Sequence, residues 1–241
     1  MKTRPIATTL AAFGALALLM VFVTQLSAAE PDAVIISTFD AGDEDWEVIG
    51  NLPSVKPVHV RTGGNPGGFI QQTDVNTGPV WYWVAPAKFR GNRSTYYNGT
   101  LSFDLFQLPD VTQQIDRADV ILQGQGVNLE YDTPANPGTT WTHYVVPLNN
   151  QDGRWMRVTP GAPGAPDIRT PATETEFRTV LSSLGTLRIR GEYREEGDTP
   201  GVVRDTGGLD NVALAGPGEV PPTPIVPRVR QSRIYLPLVA R

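Results

Sequence analysis

Acidic residues that could bind a cation cluster near the start of the chain. Asp40, Asp43, Glu44 and Asp45 occur in the segment FDAGDEDW, and Asp210 occurs much later, in GLDNV. Calcium prefers carboxylate and carbonyl oxygens, and its sites use about six to eight of them. Asp40, Asp43, Asp45 and Asp210 are therefore candidate ligands of a structural calcium ion. In the simpler interpretation the turn is solvated and Asp210 accepts hydrogen bonds from the backbone.

Aromatic residues form a second candidate site. Trp81, Tyr82 and Trp83 are consecutive, and Tyr96 and Tyr97 follow shortly after. Alternation along a strand places Trp81 and Trp83 on one face and Tyr82 on the other. Flat rings can stack on sugars, so Trp81, Trp83, Tyr96 and Tyr97 are candidate ligand-binding residues. Core packing is the favoured alternative, because large aromatic side chains dominate the interiors of β-sandwiches.

The residues that catalysis would need are sparse. The chain has no cysteine, which excludes a thiol nucleophile and a zinc–thiolate site. His59 and His143 stand alone in the sequence, and the acidic run of Glu192, Glu195 and Glu196 is typical of a solvated loop. No serine-hydrolase, zinc-protease or phosphate-binding motif is present. The sequence therefore predicts a protein that is not an enzyme.

Charge and processing signals limit the setting in which the protein works. Lys2 and Arg4 precede an apolar run from Leu10 to Val23, and the small residues Ser27-Ala28-Ala29 follow it. This pattern predicts a signal peptide over residues 1–29 and no membrane span after its cleavage. The remaining chain has a net charge of −7, and residues 30–216 alone have −10. Such an acidic body argues against nucleic acid as a partner.

The folded region is predicted over residues 30–216 as an all-β protein. Strand patterns recur between short turns, and Leu101, Phe103 and Leu105 alternate with polar neighbours. The segment Gly124-Gln125-Gly126 predicts a tight hairpin between two of the strands. The exception is an amphipathic helix predicted near residues 174–184. It has a capping box at Thr173 and Glu176 and an apolar stripe at helical spacing, formed by Phe177, Val180, Leu181 and Leu184. About ten strands and one helix favour an antiparallel two-sheet β-sandwich of the jelly-roll type.

The C-terminal region has a different composition. Residues 217–227 read PGEVPPTPIVP and predict an extended proline-rich linker, because proline fixes φ and donates no backbone hydrogen bond. Residues 228–241 form a short tail, RVRQSRIYLPLVAR, in which arginines flank a short apolar run. The run is too short to span a membrane.

Five consecutive blocks of the sequence resemble a known family. From Val80 the chain reads VWYWVAPAKFRGNRSTYYNGTLSFDLFQ, and then DVILQGQGVNLEY, WTHYVVPLNNQDGRW, EFRTVLSSLGTLRIRGEY and GLDNVAL. These blocks, in this order, resemble the laminin IV type A domain, also called laminin B. The resemblance covers roughly residues 39–214.

The resemblance implies an extracellular β-sandwich module without catalytic activity. In laminins and perlecan such a module lies among cysteine-rich EGF-like modules, and this cysteine-free chain is interpreted as a stand-alone bacterial version. The terminal IYLPLVAR resembles a short C-terminal segment on secreted proteins of some bacteria, which implies a role in sorting or in retention at the cell surface. Related carbohydrate-binding jelly rolls share a structural calcium between an acidic opening turn and an acidic closing strand, which supports the calcium hypothesis.

The sequence therefore predicts a secreted, non-catalytic module for adhesion or ligand binding, with an extracellular glycan or protein as its partner. One alternative is a carbohydrate-binding or carbohydrate-active β-sandwich module, and another is a purely structural component of the cell surface. Apart from calcium, no cofactor is expected.

Overall fold

The computed structural model describes residues 33–50, 55–74, 80–108, 117–194 and 204–221. These residues form thirteen strands and one α-helix. The strands are β1 (Ile35–Ser37), β2 (Glu47–Ile49), β3 (Val58–Gly64), β4 (Gly67–Thr73), β5 (Tyr82–Val84), β6 (Thr100–Leu108), β7 (Val120–Gly124), β8 (Val127–Tyr131), β9 (Thr142–Pro147), β10 (Met156–Thr159), β11 (Ile168–Pro171), β12 (Thr186–Arg190) and β13 (Thr206–Ala215). Helix α1 spans Glu174–Ser182.

These strands form two antiparallel sheets. The first sheet has the order β3-β4-β13-β6-β9, and β1 also pairs with β13. The second sheet has the order β11-β10-β8-β7-β12-β5-β2. The predicted two-sheet antiparallel sandwich is confirmed.

The core lies between the sheets and follows the alternation of the strands. In β6, Leu101, Phe103 and Leu105 are buried and face inward, as predicted. They pair across the ladder with inward residues of β9 and β13, such as Val146 and Leu209. A turn at Gln125-Gly126, with positive φ at both residues, joins β7 to β8 and confirms the predicted hairpin.

Helix α1 begins with the predicted capping box. Thr173 accepts a hydrogen bond from the backbone of Glu176, and the Glu176 side chain accepts one from the backbone of Thr173. The buried stripe contains Phe177, Val180 and Leu181. Leu184, the fourth predicted stripe residue, is also buried but lies beyond the end of the helix, where it pairs with Gly91.

Both ends of the described domain leave from the same pole of the sandwich. Ile35 of β1 pairs with Leu214 of β13, directly before the chain leaves the sheet at residue 216. At the opposite pole, Asp205 connects three segments: its carboxylate accepts from the Gln107 side chain and the Tyr193 backbone, and its carbonyl accepts from the backbone of Asp74. We call these ends the tether pole and the far pole.

Several sequence predictions fall on residues outside the described ranges. The signal peptide over 1–29 and the tail over 228–241 lie entirely outside them, and the linker over 217–227 is described only as far as residue 221. Within the described part of the chain, no helix has the length and apolarity needed to cross a membrane.

Candidate functional site: the outer face of the first sheet

The outer face of the first sheet is unusually apolar for a surface that points away from the core. Three of the five exposed large apolar side chains of the described chain lie on it: Val58, Leu108 and Val145, exposed by 60%, 43% and 55%. Strand alternation places them opposite the inward residues of β3, β6 and β9. They lie at three separate points of the face: Val58 on the edge strand β3, Leu108 at the end of β6, and Val145 on the edge strand β9, opposite Ser102.

Three aromatic rings form the centre of this face. Trp141 precedes β9, and its ring centroid lies 4.6 Å from that of Phe106 and 5.3 Å from that of Phe69, both in edge-to-face geometry. Phe106 lies over Gly208, where an added Cβ would come within 2.1 Å of the ring. The Trp141 indole nitrogen donates to the carbonyl of Gly63 at 2.9 Å, which fixes the orientation of the ring.

The hairpin that joins β3 to β4 folds onto this same face. The ladder between these strands is irregular between Val60 and Gly64, so side-chain contacts must hold the tip. The Asn65 backbone donates to Asp210 at 2.6 Å, and its side chain donates to Asp104 at 3.1 Å. The Asn65–Pro66 peptide bond at the tip is cis.

The hairpin covers a cluster of carboxylates that would otherwise face water. Asp104 of β6 and Asp210 of β13 are fully buried, and Asn211 donates to Asp104 at 2.8 Å. Asp40 accepts a hydrogen bond from the Gly68 backbone, just after the tip, at 3.1 Å. Burial raises the pKa of Asp210 to about 7, and the charges of Asp104 and Asp40 add to the rise while two backbone hydrogen bonds oppose it.

His143 is the partly exposed member of this cluster. Its Nδ1 lies 2.6 Å from an oxygen of Asp104, and 47% of its side chain is exposed. The carboxylate therefore fixes the orientation of the imidazole, and Nε2 is the ring nitrogen left for other partners. This corrects the sequence interpretation that both histidines stand alone. His59 also has a partner, because its Nε2 lies 2.7 Å from the carbonyl of Phe39.

The four aromatic residues predicted to bind a ligand are buried. Trp81 and Trp83 have no exposed surface, and Tyr96 and Tyr97 are exposed by 3% and 7%. Trp81 and Trp83 pack edge to face at 4.9 Å between the sheets, while Tyr82 points the other way, as alternation predicted. The stacking platform proposed for these residues is therefore wrong, because no sugar can reach them in this packing.

The candidate calcium ligands are only partly brought together. Asp40 and Asp210 both accept from the hairpin backbone, at Gly68 and Asn65 respectively. Asp43 instead accepts from the backbone of Asp45, and the Asp45 carboxylate lies 3.9 Å from the Lys56 ammonium. Across the described ranges, no group of three or more acidic or histidine side chains is arranged to hold a metal ion. A calcium site with all four residues is not formed here, and binding at Asp40 and Asp210 stays a prediction.

Glu44 and Glu192 have structural partners that the sequence did not indicate. The Glu44 carboxylate accepts from the backbones of Thr38 and Phe39 and pairs with Lys88. Burial opposes ionisation of Glu44, but these hydrogen bonds outweigh it and lower its pKa. Glu192 was predicted to lie in a solvated loop; instead it is buried and accepts from the backbone of Trp81 at 2.9 Å. Residues 195 and 196 lie outside the described ranges.

Sequence reasoning missed most residues of the outer face. The alternation of β6 does place Asp104 and Phe106 on the outer side, and the alternation of β9 does the same for His143 and Val145. These signals define the face but not the burial of the carboxylates. That burial depends on the hairpin from residues 61–66, whose glycine-rich sequence carries no clear strand pattern.

Comparison with known families decides the classification. Residues 82–214 match the Laminin B (Domain IV) family. The match includes β5, β6, β9 and β13 and covers more than half of the chain. The chain belongs to the Laminin B (Domain IV) family.

The curated relatives are much longer proteins that contain this module as a small part. The chain is 32% identical to laminin subunit gamma-1 of Homo sapiens over 151 residues, which are 59% of the chain and 8% of that protein. It is 28% identical to human laminin subunit alpha-3 over 177 residues, 70% of the chain and 5% of that protein. It is 29% identical to the basement membrane-specific heparan sulfate proteoglycan core protein of Mus musculus over 119 residues, 48% and 3% of the two chains.

A solved structure supports the fold. The L4b domain of human laminin alpha-2 superposes with a TM-score of 0.55, covering 76% of this chain and 97% of that one. Sequence identity is 14%, so this likeness concerns the fold. This Laminin B module is thus a two-sheet β-sandwich like its structural relative.

Proposed function

We propose that this Laminin B module is a secreted, non-catalytic domain that binds an extracellular partner. The observation that carries the proposal is the outer face of the first sheet, where the exposed Leu108 lies two residues along β6 from Phe106, whose ring packs against Trp141. Interface centres are typically enriched in aromatic residues and depleted of charged ones.

The charge distribution supports this assignment of the binding surface. The acidic residues at outward positions of the first sheet (order β3-β4-β13-β6-β9) are Asp104 and Asp210, and both are fully buried. On the second sheet, by contrast, charged side chains are exposed at strand positions, such as Glu47 of β2 and Arg169 of β11, which pairs with Glu130 at 2.7 Å. A partner can therefore cover the first face without removing an exposed carboxylate from water, which would be costly.

The position of the chain ends also supports a binding role. Because the domain enters and leaves at the tether pole, the outer faces and the far pole are accessible when the domain is attached to something else. Domains with adjacent termini also tolerate insertion into longer chains, which agrees with relatives in which the module is 3–8% of the protein.

A binding panel tests the proposal. The cysteine-free sequence allows one engineered cysteine, Val220→Cys, to attach the module at the tether pole to a surface that carries purified matrix proteins or a glycan array. We expect binding to a protein ligand, and Val145→Glu should weaken it at least tenfold. The matched control is Ile168→Glu, which places the same charge at an equally exposed residue of the second sheet.

Two results would change this assignment. Equal loss with Val145→Glu and Ile168→Glu would exclude the outer face as the binding surface. A defined sugar on the array would instead favour the alternative of a carbohydrate-binding module.

We also propose that the protein is exported through the segment 1–29 and held at the cell surface by the tail over 228–241. The supports are the signal-peptide pattern and the arginine-flanked apolar run of the tail.

A further inference from the structure

Two cavities lie side by side on the outer face of the second sheet, where β8 pairs with β10. Glu130 of β8 and Met156 of β10 line the first cavity, and Asn128 and Val158, two residues along the same strands, line the second. Asn128 and Glu130 flank the buried Leu129, so both face outward. Two residues of a strand span about 6.6 Å, so the cavities are neighbours along one groove. Their volumes are about 350 and about 330 Å³, within the range of small-ligand sites.

The first cavity is a positive site on an acidic domain. Residues 30–216 carry a net charge of −10, but three guanidinium groups and two carboxylates line this cavity: Arg117, Arg154, Arg169, Glu130 and Asp132. One positive charge therefore remains. It suits a ligand group with a single negative charge, such as a carboxylate or a sulfate ester. We call this cavity the arginine cavity.

Arg154 is the arginine whose charge is not balanced within the cavity. Arg169 pairs with Glu130 at 2.7 Å, whereas the exposed Arg154 guanidinium makes no hydrogen bond or ion pair with any residue in the described part of the chain. The neighbouring Asp152 does not line the cavity; its carboxylate accepts from the Tyr131 hydroxyl at 2.8 Å and from the Arg154 backbone at 3.0 Å. Because a guanidinium binds oxyanions through two parallel hydrogen bonds, Arg154 is the group to hold an anion here.

The second cavity, which we call the amide cavity, has an acceptor that needs a donor. Its lining combines two amides, apolar side chains and one pair of opposite charges: Gln123, Asn128, Val158, Pro160, Arg157 and Asp167. The Asn128 Nδ2 donates to the Glu130 carboxylate at 3.1 Å, which fixes the amide because a carboxylate only accepts. The Asn128 Oδ1 is buried and accepts from no donor among the described residues. A buried acceptor without a donor is costly, so a ligand hydroxyl at Asn128 would be stabilising.

The two cavities together define the class of ligand. It carries one anionic group and, in the neighbouring cavity, a hydrogen-bond donor, and its body lies against apolar side chains such as Met156 and Val158. Extended peptides usually bind by adding a strand to the edge of a sheet. This groove offers no such edge, because β8 pairs with β7 and β10, and β10 pairs with β8 and β11. A sugar with an acidic group supplies the anion, the hydroxyl donors and an apolar ring face without using a sheet edge.

We propose that this groove binds an acidic oligosaccharide, with a carboxylate or sulfate group on Arg154 in the arginine cavity and the adjoining sugar ring against Asn128 in the amide cavity. The groove lies on the sheet opposite to the proposed protein-binding face, so the inference does not rest on the proposed function. The two fail separately, because Val145→Glu changes the first sheet and Arg154→Gln changes the second.

Isothermal titration calorimetry of the full mature chain tests the proposal with four probes. They are a tetrasaccharide that contains uronic acid, its carboxyl-reduced neutral analogue, a sulfated tetrasaccharide and inorganic sulfate. We expect an acidic tetrasaccharide to bind at least tenfold more tightly than the neutral one, and the comparison of uronic acid with sulfate identifies the anionic group. Arg154→Gln should weaken this binding at least tenfold, and Asn128→Ala about fivefold, in line with one hydrogen bond to a charged group and one to a neutral group.

The matched control is Arg90→Gln. Arg90 is also exposed, lies in the loop after β5 and should contribute nothing to sugar binding. Arg154→Gln changes an exposed side chain, so the variant should keep the melting temperature of the parent chain. If Asn128→Ala does not fold, Asn128→Ser takes its place.

Five results would overturn the proposal. The first is no binding of either acidic tetrasaccharide at millimolar concentration. The second is equal weakening by Arg90→Gln and Arg154→Gln, which would indicate general attraction between charges. The third is binding of inorganic sulfate as tight as that of the tetrasaccharides and unaffected at Asn128, which would leave an anion site without a sugar. The fourth is a glutamate-rich peptide that binds as tightly as the sugars. The fifth is sugar binding that Val145→Glu abolishes, which would place the sugar on the first sheet.

Discussion

The substitution Gly191→Ala should destabilise the sandwich severely, because Gly191 lies against the ring of Trp81. A Cβ at this position would come within 1.8 to 2.3 Å of three ring atoms. The Trp81 ring has little room to move away. The Trp83 ring packs against it with centroids 4.9 Å apart, and the Gly207 backbone is so close that a Cβ built there would lie 3.1 Å from the ring. The backbone is held as well, because Gly191 donates to the carbonyl of Trp81 at 3.0 Å.

Overpacking a core typically costs about 1 to 3 kcal/mol, and the lack of room here indicates the upper end, about 3 kcal/mol. For a domain of this size, that loss lowers the melting temperature by about 6 to 12 °C, which thermal unfolding followed by circular dichroism would detect. The control Gly42→Ala meets no atom within 4 Å and should change stability by less than about 0.5 kcal/mol.

A double-mutant cycle tests the cause. In a Trp81→Phe background the smaller ring leaves room, so Gly191→Ala should cost less than half as much. An unchanged cost in that background, or equal losses at Gly191 and Gly42, would refute the steric argument.

Leu181→Ala in the helix should lower the free energy of unfolding by about 2 to 5 kcal/mol, because the Leu181 side chain is fully buried. Arg178→Ala should lower it by about 1 kcal/mol or less, since it removes an exposed ion pair and a contact over the Tyr97 ring. Equal losses of stability in urea unfolding would contradict the amphipathic helix. Burial raises the pKa of Asp210 from its ordinary value of 3.8 to about 7 in the folded state, so the free energy of unfolding should fall as the pH rises from about 4 to about 7, by at most about 4 kcal/mol. Asp210→Asn should flatten this part of the plot of stability against pH. A plot that is already flat for the parent chain would contradict the burial argument. If Asp40 and Asp210 bind calcium, an excess of about 100-fold over Kd should add about 2.7 kcal/mol, and melts that superimpose in calcium and in chelator would exclude it. Sequencing of the exported protein should give an N-terminus near Glu30, and an intact Met1 in the membrane fraction would indicate an anchor instead.

The features that the sequence predicted well are those encoded locally. The capping box at Thr173 and Glu176 and the alternation of β6 each depend on residues a few positions apart, and the structure confirms both. The turn at Gln125-Gly126 is similar, because positive φ favours glycine and the flanking strands are short and apolar.

The outer face could not be predicted in full because its form depends on contacts between distant residues. Asn65 reaches Asp210 across 145 positions of sequence and Asp104 across 39. The irregular hairpin that makes those contacts has no alternating pattern to indicate it. For the same reason Trp81 and Trp83 were open to two interpretations, since only the packing of the second sheet against the first shows that their rings are buried.

Chemical labelling of the two histidines tests the central claim, that the outer face of the first sheet is the binding surface. Diethyl pyrocarbonate modifies accessible imidazoles, and His143 lies on this face with 47% of its side chain exposed. His59 is the internal control, because its ring contacts the carbonyl of Phe39 away from the aromatic cluster. When the partner is bound, labelling of His143 should fall at least several-fold while that of His59 stays constant. Binding that leaves the labelling of His143 unchanged would place the contact elsewhere and contradict the account.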